Sequence, residues 1–158
     1  MQLIFKSTVL SIFLFTFLHL GLTAQEPTKK ETIKWIISKL NSYAYNPVTH
    51  FKKEMNFYYD QSTECIICEA ATSIDASKYN LFISIPISKI WRVECNSIES
   101  TITIRTIGKE IKRSGDLNFS GSDESLGFDF DKESNLKSRM LSAFENLMSF
   151  FQKKKETF

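Results

Sequence analysis

Ile87-Ser88-Lys89-Ile90-Trp91-Arg92-Val93-Glu94-Cys95-Asn96-Ser97-Ile98-Glu99-Ser100-Thr101-Ile102-Thr103-Ile104-Arg105-Thr106-Ile107 reads as a β-hairpin, and its pattern decides the fold class. With Asn96-Ser97 as a two-residue turn, Cys95 opposes Ile98, Val93 opposes Ser100 and Trp91 opposes Ile102. Opposed residues share a face. One face then holds Trp91, Val93, Cys95, Ile98, Ile102 and Ile104, and the other holds Arg92, Glu94, Glu99, Thr101, Thr103 and Arg105. Apolar and polar residues separate, as in an antiparallel sheet with one wet face. A slip of one residue would send every side chain to the wrong face. Glu94 faces Glu99 in this register, a like-charge pair that Arg92 offsets diagonally.

Working outward, the same alternation recurs. Asn56 to Tyr59 and Glu64 to Ala70 flank the polar run Asp60-Gln61-Ser62-Thr63, a second hairpin. Leu81, Ile83 and Ile85 alternate with Phe82 and Ser84, and Pro86 then demands a strand end, bulge or edge. Ser73 to Asn80 reads as loop. Leu126, Phe128 and Phe130 mark a last short strand. Helices bracket the strands. Thr28-Lys29-Lys30-Glu31 has the capping-box form, and Ile33, Ile36, Ile37 and Leu40 follow at helical spacing. The spacing predicts a helix over Lys29 to Tyr43, with Asn46-Pro47 beyond it as a stop. Leu136, Met140, Phe144, Leu147, Met148 and Phe151 form the stripe of a long C-terminal helix, capped by Asp131 or Ser134. The fold class is therefore α+β: an antiparallel sheet with an N-terminal helix and a long C-terminal helix.

Met1 to Ala24 reads as a secretory leader, with an almost wholly apolar segment from Thr8 to Leu20 behind Lys6 and small Ala24 before Gln25. The alternative, an uncleaved anchor helix, is disfavoured by the shortness of that run. The expected organisation is a signal peptide over 1–24 and a single α+β domain over 25–158, secreted or periplasmic, with no membrane span after leader removal. Loss of Lys6 lowers the formal charge from +2 to +1. That balance argues against nucleic acid as a partner, since such binding is driven by neutralising phosphates. Charge is uneven, with Asp116, Asp123, Glu124, Asp129 and Asp131 in one stretch and Lys153 to Lys155 near the end. The lysines suit a helix C-terminus, with a surface-binding patch as the alternative.

Cys65, Cys68 and Cys95 are an odd set for an exported protein. Cys65-Ile66-Ile67-Cys68 has redox spacing, but Ile-Ile belongs to a strand, where positions three apart face opposite ways. Three buried thiols are expected, with a Cys95 bond to Cys65 or Cys68 as the alternative. His50 is the sole histidine after the leader and lies in a loop, so neither a nucleophile–His arrangement nor a zinc site is indicated. Asp129-Phe130-Asp131-Lys132-Glu133 is superficially EF-hand-like but lacks the loop glycine and the distal Glu. No catalytic, cofactor or metal residues are assigned.

The step from Ile85-Pro86-Ile87-Ser88-Lys89-Ile90 into Trp91-Arg92-Val93 resembles that between strands of pleckstrin-homology-like and GRAM-like domains. Arg139-Met140-Leu141-Ser142-Ala143-Phe144-Glu145-Asn146-Leu147 is similar to the helix that closes their sheet. The whole, with its Ala24-Gln25 junction, also resembles small exported proteins of Bacteroidetes-type bacteria. A pleckstrin-homology-like architecture is what the resemblance implies. Phosphoinositide binding does not carry over, because no basic cluster lies between the first strands. The expected function is a non-enzymatic binding or interaction module for a protein or small-molecule ligand. Candidate contacts are Tyr43, Tyr45, Tyr58, Tyr59, Asp123 and Glu124. The alternatives are a small secreted hydrolase using a carboxylate pair and an envelope-associated structural protein held by the lysine tail.

Overall fold

The computed structural model describes residues 27–45, 55–71, 80–96, 101–115, 120–130 and 135–152. The leader, Asn46-Pro47, His50, Asp131, Ser134 and the lysine tail lie outside the described residues. Helix α1 spans Lys29–Tyr43, as the spacing predicts. Its start is set by Thr28, whose hydroxyl accepts the Glu31 N–H at 3.3 Å while Glu31 Oε2 accepts the Thr28 N–H at 2.8 Å. Two orphan donors of the first turn are thereby satisfied. The contacts to Thr28 hold the Glu31 carboxyl below its usual range.

Eight strands follow: β1 (Met55–Asp60), β2 (Cys65–Ala70), β3 (Leu81–Pro86), β4 (Ile90–Asn96), β5 (Thr101–Thr106), β6 (Ile111–Gly115), β7 (Gly121–Asp123) and β8 (Ser125–Asp129). Helix α2 (Leu136–Gln152) closes the chain. The strands form two antiparallel sheets, ordered β1-β2-β3-β6-β7 and β4-β5-β8. The α+β class read from the pattern is the observed one. At the first hairpin, Asp60 accepts hydrogen bonds from the Ser62 N–H and hydroxyl and from the Thr63 hydroxyl. These fold the turn and hold the Asp60 carboxyl below its usual range. Pro86 ends β3 opposite Cys65, and a single 3-10 turn over Ile87–Lys89 turns the chain into β4.

The core is one cluster. Ile36 and Leu40 of α1, Ile66 and Ile83 of the larger sheet, Ile102, Ile104 and Phe128 of the smaller, and Met140, Phe144 and Leu147 of α2 are all buried. Phe57 and Phe128 join the sheets edge to face, with ring centroids 5.2 Å apart. Helix α1 lies against β1, α2 lies against β4, and the helices pack on each other. They run antiparallel. Lys29 Nζ sits 4.1 Å from the Phe151 ring, Asn146 donates to Thr32 at 3.1 Å, and Arg139 lies over Trp35.

Two expectations about the central hairpin need correction. Asn96 pairs with Thr101, so the turn is not Asn96-Ser97; the connection is 97–100, outside the described residues. Cys95 opposes Ile102 and Val93 opposes Ile104, a shift of four from the expected partners. An even shift preserves parity, so Val93 and Cys95 still pack toward the core while Arg92 and Glu94 stay on the other face. Glu94 accordingly faces Thr103 rather than Glu99. Its two oxygens lie 2.8 Å from Arg92 Nε and 2.8 Å from Arg105 Nε, and the Arg105 hydrogen bond chiefly holds the carboxyl below its usual range. Trp91 does not join the dry face. A β-bulge falls between Ile90 and Arg92, leaving Trp91 without a partner and 51% exposed, while Ile90 turns inward. An inserted residue re-aims the side chain at the bulge.

Candidate functional site

The tyrosine and acidic candidates do not form one surface. Tyr43 ends α1, packs on the core and has Lys39 Nζ 5.0 Å from its ring. Tyr45 is half-buried, and its N–H donates to the Asp129 carbonyl at 2.9 Å. Tyr58 and Tyr59 alternate on β1. Tyr59 packs on the core, while Tyr58 looks outward, its hydroxyl pushed up in pKa by desolvation and then by the Glu69 charge. Asp123 Oδ2 lies 2.7 Å from Arg113 Nε, although that buried N–H finds no acceptor in hydrogen-bonding geometry among the described residues. Glu124 is exposed and its carbonyl accepts the Thr106 N–H at 2.8 Å.

The thiols are free. Cys68 is fully buried, and desolvation pushes its pKa up to about 12. Cys65 is also buried, with Sγ 3.4 Å from the Thr63 carbonyl. Cys95 is half-buried, its Sγ 3.7 Å from the Lys137 carbonyl and its pKa raised by burial. Titration of the denatured, unreduced protein is expected to find three thiols; one would establish a disulfide. An alkaline effect follows from Cys68. An unfolded thiol ionises near its ordinary value of 9.0, whereas the folded one holds its proton. Its contribution is therefore present in full below pH 9 and falls by about 1.4 kcal/mol per pH unit from there to about 12, where the folded thiol ionises too. Urea titrations at rising pH are expected to show Cys68→Ala losing less stability per unit than the wild type. Equal slopes would refute this.

Hollows open on the surface formed by the described residues. The first, of about 680 Å3, runs between α1 and α2. Pro27, Glu31, Thr32 and Trp35 form one wall; Ser138, Arg139, Ser142, Ala143 and Asn146 form the other. The second, also about 680 Å3, lies on the larger sheet around Phe82 and Lys112, and the third, about 630 Å3, lies beside Glu94 and Cys95. Among the described residues, the carboxylates that line them, Glu31 and Glu94, each stand without a second acid in the same hollow. Among the described residues no group of three metal-ligating side chains converges, and no helix is long and apolar enough to cross a membrane.

The interhelical groove has the most organised chemistry. Trp35 is its aromatic wall, with the Arg139 guanidinium 5.3 Å and Lys39 Nζ 5.9 Å from the ring. A guanidinium stacked on an aromatic face keeps its N–H fork free for an acceptor, and Arg139 has no carboxylate partner among the described residues. The floor is fixed by buried Thr32, whose hydroxyl accepts from Asn146 Nδ2. At that end stands Glu31, whose bonds to Thr28 use Oε2 alone. The groove is thus polarised, basic at Arg139 and acidic at Glu31. None of these residues is among the candidate contacts read from the sequence. Their signal was a second stripe on each helix, beside the apolar one: Glu31, Thr32, Trp35 on α1 and Ser138, Arg139, Ser142, Asn146 on α2. Comparison with family models, with curated proteins and with solved structures finds no match for this chain.

Proposed function

We propose that the protein is an exported binding module that holds a short peptide or peptide-like chain in the groove between α1 and α2. The observation that carries this reading is the Arg139 guanidinium, stacked on Trp35 with no carboxylate partner among the described residues, at the end of the groove away from Glu31. Grooves with an apolar wall and a few convergent polar groups are the usual form of small-ligand sites. The charges fit a ligand with a carboxylate for Arg139 and N–H donors for Glu31. Its length fits as well. Ser138 to Asn146 is about 12 Å along a helix, the span of roughly three or four extended residues. The leader read from Met1 to Ala24 supports the exported location, where peptides released from other proteins are available.

Trp35 provides the readout. The chain has two tryptophans, and the exposed Trp91 is removed by Trp91→Phe. In that background, tri- and tetrapeptides with a free C-terminal carboxylate are expected to change Trp35 emission saturably. C-terminal amidation or Arg139→Gln is expected to weaken binding about tenfold, the loss of one charge-assisted contact. Equal binding of free and amidated peptides, or none of either, would refute the reading.

A further inference from the structure

We propose that the outer face of the larger sheet is the contact surface for a second copy of this chain, joined by two-fold symmetry. Strand pairing sets Asn56, Glu69, Phe82 and Ser114 in one row across β1, β2, β3 and β6. The next row is Tyr58, Ile67, Ser84, Lys112 and Ser122 across β1 to β7. The helices and the smaller sheet pack on the inner side, through Phe57, Ile66 and Ile83. On the outer side Tyr58 and Phe82 are each 39% exposed, and Ile67 between them is half-buried. Tyr58 and Ile67 are directly paired, and Phe82 stands on the third strand one row away, diagonal to Ile67.

Shape and charge both divide this face into two unlike halves. Toward β1 stands the exposed Tyr58 ring with Glu69 beside it. Toward β6 and β7 lies the hollow of about 680 Å3, lined by Phe82, Ser84, Lys112 and Ser122. Lys112 has no acidic partner among the described residues. A two-fold interface needs this kind of self-complementarity, in which residue i meets residue j and j meets i. Tyr58 of each copy enters the hollow of the other, and Glu69 of each meets Lys112 of the other. Both contacts are made twice. The interhelical groove, being concave along its length, offers a copy of itself no such fit. Five strands at about 4.8 Å spacing and five residues of length cover roughly 400 Å2 per copy, so the pair belongs to the small, transient class. A weak, concentration-dependent pair is the expected result.

Sedimentation velocity from low to several hundred micromolar tests this directly. The wild type is expected to pass from monomer to dimer and no further. Glu69→Lys and Lys112→Glu are each expected to weaken dimerisation at least tenfold, and Tyr58→Ala similarly, with unchanged circular dichroism. The double variant Glu69→Lys/Lys112→Glu restores opposite charges across the interface and is expected to recover the dimer. A wild type that stays monomeric, single charge variants that dimerise normally, or a double variant that does not recover would each overturn the proposal. Since these residues lie on the sheet face and not in the interhelical groove, peptide binding reads out separately.

Discussion

Phe128→Ala is expected to lower the free energy of unfolding by about 3–5 kcal/mol, the range for deleting a fully buried aromatic ring. Phe128 has 0% exposure and stands in β8, opposite Ile102 of β5. Its ring also meets Phe57 of the other sheet at 74°. Loss of the ring removes transfer free energy and leaves a cavity where the two sheets touch, and strands held in separate ladders cannot easily close it. A domain of this size is stable by about 5–15 kcal/mol, so the variant gives up at least about a fifth of its margin. Urea denaturation is the measurement, with the midpoint falling and the slope unchanged. Ile107→Ala serves as the control: Ile107 is 61% exposed, and its loss is expected to cost no more than about 0.5 kcal/mol. A Phe128→Ala cost below about 1.5 kcal/mol would mean that the sheets do not depend on this contact.

The packing that makes Phe128 so sensitive was partly legible before any coordinates. Alternation in Leu126, Phe128 and Phe130 identifies the inward side of β8, because a strand has period two and one face is dry. The capping box at Thr28 and the stripe of Ile33, Ile36 and Leu40 likewise locate α1, because both signals are local. Register was less legible. Faces depend only on parity, so the hairpin through Cys95 and Ile102 satisfies the pattern both in the expected register and in the observed one, four residues away. The bulge at Trp91 was invisible because it changes which residue is unpaired without changing the composition. The division into two sheets, in which β6 returns to β3, is a long-range choice that no local pattern carries.

The same distinction governs the sites. Tyr58 was accessible to sequence reasoning, since an aromatic on the wet side of a strand is visible in the alternation. The groove was not, because it is assembled from α1 and α2, whose meeting point joins Thr32 to Asn146 across 114 positions of the chain. Each half contains polar and small residues that suit a solvated helix face. Only their juxtaposition leaves Arg139 over Trp35 and puts Glu31 at the far end.

Gly115→Ala should be the most damaging of three glycine substitutions, costing about 3 kcal/mol, at the upper end of overpacking. The reason is space. A Cβ at Gly115 would overlap the Asn80 carbonyl oxygen and come 3.4 Å from Leu81 Cα, both of them backbone. Asn80 is not free to retreat, because its N–H donates to the Ala70 carbonyl at 3.1 Å, and Leu81 is the residue paired with Gly115. Either β3 or β6 must therefore shift and strain the middle of the five-stranded sheet. Gly108 is constrained differently. It has nothing within 4 Å, but its φ of +74° is disfavoured for residues with a Cβ, so Gly108→Ala is expected to cost about 1 kcal/mol. Gly121 has neither constraint, and Gly121→Ala is expected to stay within about 0.5 kcal/mol of the wild type. Thermal or urea unfolding of the three variants gives the order directly. If Gly115→Ala proves as mild as Gly121→Ala, the close approach of the Asn80 backbone to β6 is wrong; if Gly108→Ala is the worst, backbone conformation rather than packing limits this half of the sheet.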